Sequence, residues 1–179
     1  MLIGICGKKQ TGKNTVAEYL SNTLTKKTNV VSFATPVLNI AGVLANDDFR
    51  INYEEKKKTF FPNVNLTGRE LLQKVGTEWG RSLNPNIWVN LLFNKIDDAG
   101  YKMYYKHTII SDVRFKNEAD EILKRGGILI KLERNTGLSD NHISENDLDD
   151  YDKPMYVIDN NGTLEQLKQK LEIVVESIP

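Results

Sequence analysis

The stretch ICGKKQTGKNTVAEYL, residues 5–20, decides the fold. Ile5 and Cys6 end an apolar run that begins at Leu2, short enough to be a buried strand. From Gly7 to Lys13 the spacing is Gly-x-x-x-x-Gly-Lys, the pattern of a phosphate-binding loop. Over 14–25, Val16, Tyr19, Leu20 and Leu24 fall on one helical face. A strand before the loop and a helix after it supply the context that the spacing needs. The glycines let consecutive N–H groups curl inward as an anion nest, and the helix N-terminus adds positive partial charge. Lys13 is the residue that reaches the β- and γ-phosphates. A Ser or Thr hydroxyl usually follows the lysine and sits on Mg²⁺, but here Asn14 follows, with Thr15 next. Asn14 can ligate a metal directly or through water, Thr15 can take that place, or Asn14 is a helix cap.

Outward from the loop, short apolar runs alternate with amphipathic segments. Strands are expected over 29–33, 108–110, 128–132 and 155–158. Helices are expected over 37–44, after Pro36, and from a capping box at Thr67 and Glu70 to Gly80, with Leu71, Leu72, Val75 and Trp79 inward. Another follows Pro85, with Ile87, Trp88, Leu91, Leu92 and Ile96 as its apolar side. A helix over 115–125 ends at Gly126-Gly127, and Thr163 with Gln166 caps a last one carrying Leu164, Leu167, Leu171 and Val174. The polar stretch 46–65 reads as a solvated helix face, a loop or a flap, and 134–152 as irregular and acidic. This alternation predicts a doubly wound α/β domain, a parallel sheet of about five strands with helices on both faces.

The chain has 179 residues, 24 basic and 24 acidic, with 40% hydrophobic and 27% charged. That is one domain's length, and the balanced charge points to neither nucleic acid nor a membrane surface. Cys6 is the only cysteine and reads as a buried core residue. No apolar run reaches the ~20 residues of a membrane span and the N-terminal run is too short for a signal peptide, so a cytoplasmic location is expected.

Ligands of such sheets bind beyond the carboxyl ends of the strands. Asp112 stands at such an end, after TIIS, where an acid can hold a metal-bound water or receive a substrate hydroxyl. Arg114 lies two residues on; a salt bridge between the two is the plainer alternative, but their place at the strand end favours a ligand role. Arg69 and Gln73 share a helix face, and Arg69 suits bidentate phosphate binding, although a surface role is the plainer reading. Arg134, at the start of the acidic segment, is placed like a cation that closes over a transferring phosphate, with His142 and Glu145 in the same segment.

Taken together, GKKQTGKNT, RELLQKVGTEWGR, IWVNLL, ISDVRFKNEADEILKRGG, RNTGLSDNHISE and VIDNNGTLEQL resemble, in this order, the deoxynucleoside monophosphate kinases of bacteriophages. All but roughly 47–65 is covered. The resemblance implies one P-loop kinase domain over 1–179, with a substrate-binding helical region over about 36–98 and a lid over about 133–152. It implies transfer of the γ-phosphoryl group of ATP, with Mg²⁺, to a deoxynucleoside 5′-monophosphate. The ATP side would comprise Gly7, Lys9, Thr11, Gly12, Lys13, Asn14, Thr15 and Asn160, with Asn14 and Thr15 serving the metal. Phe33, Arg69, Gln73 and Thr77 would serve the acceptor, joined by Asp112, Arg114, His142 and Glu145. Lys13, Asp112, Arg114 and Arg134 would be catalytic. Small nucleotides are the expected partners, with no nucleic acid or membrane, and the resemblance suggests a homodimer. The family often has an acidic residue where Asn14 stands and a lysine where Leu38 stands. The alternatives are a dephospho-coenzyme A or sugar-acid kinase on the same fold, or a nucleotide-gated binding module.

Overall fold

The computed structural model describes residues 1–24, 27–137 and 142–177. In chain order, β1 (Leu2–Gly7), α1 (Lys13–Leu24) and β2 (Thr28–Val31) are followed by α2 (Thr35–Ala45) and α3 (Tyr53–Lys56). Two short strands, β3 (Phe60–Phe61) and β4 (Leu66–Thr67), precede α4 (Gly68–Gln73). A π-helical turn over Lys74–Trp79 then leads into α5 (Gly80–Leu83), α6 (Ile87–Asp97) and α7 (Ala99–Tyr104). The remainder is β5 (His107–Val113), α8 (Lys116–Lys124), β6 (Ile128–Glu133), α9 (Ile143–Asn146), β7 (Tyr156–Asp159) and α10 (Leu164–Ser177). Thr25, the expected end of the first helix, lies outside the described residues. The chain forms two compact units, Met1–Ser32 with Ile96–Pro179, and Phe33–Lys95.

The first unit holds a five-stranded parallel sheet in the order β2-β5-β1-β6-β7. Strand β1 is central. Ile3 lies opposite Ile109 of β5 and Ile128 of β6, so the strand is bonded along both edges. Alternation along β1 sends Ile3 and Ile5 to one face, where they join Val16, Ala17 and Leu20 of α1 and Leu167, Leu171 and Val174 of α10. Each fully buried aliphatic side chain there is worth about 1.5–3 kcal/mol of hydrophobic stabilisation. On the other face, Ile122 of α8 lies 2.7 Å from where a Cβ on Gly4 would stand, with Leu129 and Val113 beside it. Helices therefore cover both faces, and the domain is the expected doubly wound α/β fold. The strand order reverses at β1, and its carboxyl end carries the glycine loop, where such sheets bind ligands.

The second unit departs from the expected faces in three places. Leu71 and Val75 are buried, but Trp79 is 50% exposed and Leu72 only half-buried. The π turn accounts for Trp79, because its extra residue per turn shifts later side chains off the α-helical face, whereas Leu72 stands on α4 before that turn. Gly80 does not stop the helix either. It is right-handed and helical, and a Cβ there would collide with the Trp88 ring, whose Nε1 donates to Gly76 O at 2.6 Å. On α6 the buried set is Trp88, Val89, Leu92 and Phe93, whereas Leu91 is largely exposed. Apolar residues surround most of that helix, so periodicity does not single out a face. The polar stretch 46–65 contains α3 and leads into a two-stranded hairpin, anchored by buried Phe49 and Phe61 with ring centroids 5.3 Å apart. Phe33 lies beyond the end of β2 and packs against Phe93, with centroids 6.2 Å apart.

Candidate active site

The glycine loop is built as its spacing predicts. Gly7 and Gly12 have φ of +139° and +98°, and Gln10 is also left-handed at +62°. A side chain at Gly7 would meet Leu132 O at 2.6 Å, so the first glycine is required by conformation and by space. Thr11 is buried, its Oγ1 donating to Lys8 O at 2.9 Å and its carbonyl accepting from Asn160 Nδ2 at 2.8 Å. Asn160 is itself buried, and its backbone N–H donates to Glu133 O at 2.8 Å. Asn160, expected on the ATP side, thus pins the loop to the end of β7.

Lys13 arches over the loop and donates to Gly7 O and Lys8 O, both at 2.7 Å. Burial, and then the charge of Arg114, pull its ammonium down to a pKa of about 8, partly offset by Glu145 and Asp112. Asn14 and Thr15 stand exposed in the first turn of α1. Their oxygens suit a hard cation such as Mg²⁺, which keeps several waters and binds mostly through substrate phosphates. Among the described residues, no group of three or more His, Cys, Asp or Glu forms a ready-made metal cage. Cys6, buried beneath the loop, lies 3.8 Å from Met155 Sδ, and burial pushes its thiol up to about 11 against the opposing pull of Lys131 and Lys13. It is the core residue expected.

Asp112 and Arg114 sit at the carboxyl end of β5, beside the loop. Ser32 Oγ donates to Asp112 Oδ2 at 2.6 Å. Glu118, 2% exposed, accepts from the Arg114 and Phe115 N–H groups at 2.8 and 3.1 Å and so fixes the turn into α8. Arg114 Nη1 is paired with Glu145, whose other oxygen accepts from Lys9 N at 2.8 Å. A cavity of about 370 Å³ opens here, lined by Gly7, Lys8, Thr11, Arg114, Arg134 and Glu145 among others. Arg134 is exposed at its edge. His142 caps the short helix α9, accepting from Ser144 N at 3.3 Å. The lid expected over 133–152 includes Leu138, Ser139, Asp140 and Asn141, which lie outside the described residues.

The structure thus gathers Gly7, Lys9, Thr11, Gly12, Lys13, Asp112, Arg114, Glu145 and Asn160 around one loop. Arg69, Gln73 and Thr77 belong to the other unit, half-buried on α4 and the π turn. Sequence reasoning missed Ser32 and Glu118. Glu118 carried a signal, an acid three residues after the start of its helix, but the Phe115 at that start hid the capping pattern. Ser32 carried none.

Residues 37–171 match the family described as deoxynucleotide monophosphate kinase. The chain belongs to this family. It is also 33% identical, over 99% of its length and 97% of the relative's, to a protein of Acanthamoeba polyphaga mimivirus provisionally named a deoxynucleotide monophosphate kinase. Among solved structures it resembles shikimate kinase from Aquifex aeolicus, at 14% identity and a TM-score of 0.49, covering 98% of this chain and 96% of that one. As a member of this kinase family the chain is a phosphotransferase that draws on a nucleotide phosphoryl donor. Among the described residues, no helix is long and apolar enough to cross a membrane.

Proposed function

We propose that this kinase transfers the γ-phosphoryl group of ATP, with Mg²⁺, to a deoxynucleoside 5′-monophosphate, releasing ADP and the deoxynucleoside diphosphate. An acceptor phosphate oxygen forms the new bond to the γ-phosphorus as the bond to the ADP oxygen breaks. A phosphate monoester is largely a dianion at neutral pH, its second pKa being about 6, so the acceptor is already a nucleophile. What remains is to position two polyanions and neutralise charge as it shifts between them. The observation that carries this reading is the convergence of the loop N–H groups, Lys13 and Arg114 at the carboxyl end of β1 and β5 in a chain of this family.

In this reading Lys13 and the loop amides hold the donor phosphates, and Arg114 and Arg134 stabilise the transferring group. Asn14 and Thr15 serve Mg²⁺, which neutralises charge on the donor phosphates when bound. Asp112, oriented by Ser32, holds a water or a substrate group near the reacting atoms. Arg69, Gln73 and Thr77, in the unit we assign to acceptor binding, take the monophosphate. Nucleotide products identified from ATP and a panel of deoxynucleoside monophosphates test the proposal. Turnover of dephospho-coenzyme A with none of any deoxynucleotide would refute it.

A further inference from the structure

The acidic segment from α9 onward is bonded, acid by acid, to groups that a phosphate would use. Glu145 Oε2 accepts from Lys9 N, within the glycine loop, while Oε1 pairs with the Arg114 guanidinium. Asp147 accepts from the Lys116 N–H at 2.8 Å, at the start of α8. Asp149 and Asp150 pair with the side chains of Lys8 and Lys116 at 2.8 and 2.9 Å. Of the three acids in ion pairs, Glu145 is the sequestered one. Its side chain is 7% exposed, against 49% for Asp149 and 78% for Asp150, and exposed pairs contribute about 0–1 kcal/mol.

We propose that Glu145 is an internal surrogate for a phosphoryl group, occupying the anion site formed by the Lys9 N–H and the Arg114 guanidinium, and that phosphate binding must displace it. The identity of the ligand rests on the phosphoryl-transfer reading; the anion site itself does not. An ionised carboxylate is an acceptor only, and two oxygens divided between a loop N–H and a guanidinium is the arrangement a phosphate takes in a backbone nest. The pairing suits the carboxylate while no ligand is bound, because a buried carboxylate is costly without a cation or N–H donors beside it. A phosphate carries more charge and more oxygens than one carboxylate, so it can win the site. The competition lowers the apparent affinity by the fraction of molecules in which Glu145 has left. A chain with Glu145 seated in about nine molecules of ten binds about tenfold more weakly than one with an open site.

Calorimetric titration of the full chain with pyrophosphate tests this in three variants. Glu145→Gln keeps the shape and an oxygen for the Lys9 N–H while removing the charge, and is expected to bind pyrophosphate about tenfold more tightly. Asp149→Asn, at an exposed pair, is expected to change the affinity by less than about twofold. Glu145→Asp, charged but shorter, should fall between wild type and Glu145→Gln. Unchanged or weaker binding by Glu145→Gln overturns the proposal, since a carboxylate that merely positioned Arg114 would give that result. A second readout needs no mutation. Amide hydrogen exchange at Glu145–Asp149 in the wild-type chain should quicken with saturating pyrophosphate, and unchanged or slower exchange overturns the proposal equally. Wild-type turnover of a deoxynucleotide, with no gain in Glu145→Gln, would sink this inference alone. Tighter binding by Glu145→Gln, with no deoxynucleotide turned over, would uphold it and sink only the reaction assigned above.

Discussion

Replacing Asn160 by alanine tests whether the phosphate loop is held from outside its own sequence. The side-chain amide of Asn160 donates to Thr11 O at 2.8 Å, and both residues are buried, at 6% and 1% exposed. Alanine removes the donor and strands the carbonyl away from water, which costs about 1–3 kcal/mol. The backbone bond from Asn160 N to Glu133 O does not depend on the side chain, so that range is the whole expected loss. For a chain of this size each kcal/mol lowers the melting temperature by about 2–4 °C, giving a fall of roughly 6 °C for a mid-range loss. Thermal unfolding measures that fall, and titration with ADP measures its effect on the loop, expected as affinity weakened by up to about tenfold. Asn161→Ala, at the exposed neighbour, is the control. Asn160→Asp sharpens the test, because its carboxylate would face the Thr11 carbonyl, acceptor against acceptor. Its pKa would be raised in the folded state, so the folded chain would bind more protons and the deficit relative to wild type would shrink as pH falls. A melting temperature within about 1 °C of wild type for Asn160→Ala, with ADP affinity also unchanged, would refute the reasoning.

Three other outcomes follow from the same geometry. Lys13→Met should lower kcat/KM by about 10²–10³-fold, as expected for loss of one preorganised charge donor, while the melting temperature stays near wild type because burial already disfavours that ammonium. Steady-state kinetics beside a melting curve checks it, and a loss of activity that tracks unfolding would contradict it. Cys6, with its thiol pushed up to about 11 from 9.0, should react with a disulfide reagent at pH 8 about 10²-fold more slowly in the folded chain than in the denatured one. Equal rates would show that the thiol is not held in the core. Gly4→Ala should destabilise by about 1–3 kcal/mol in urea unfolding, since its Cβ would press on Ile122, Leu129 and Val113.

How much of this was legible in the sequence depended on what carried each signal. The strand, glycine loop and helix of residues 2–24 are local, and their spacing alone placed the loop at the end of β1. Both capping boxes formed, with Thr67 N donating to Glu70 at 2.8 Å and Thr163 N to Gln166 at 2.9 Å. Trp79 was misread because a π turn leaves no periodic trace, and Gly80 because a glycine that admits the Trp88 ring looks like one that ends a helix. The Ser32–Asp112 bond joins positions 80 apart in the chain, across neighbouring strands, and no spacing rule reaches that far. Asn160 was singled out in the sequence, but its bond to the loop depends on β7 lying next to β6, which the order of strands along the chain does not reveal.

The central position of β1 divides the site into a part that cannot yield and a part that can. Its backbone is bonded on both edges, so the strand end from which the loop springs is lost only when the sheet itself opens. The acidic segment that meets the loop is tied to it by side-chain contacts from Glu145 and Asp149, each breakable singly. Denaturant should therefore strip the segment first, leaving the strand end and its loop standing on a sheet that has not yet opened.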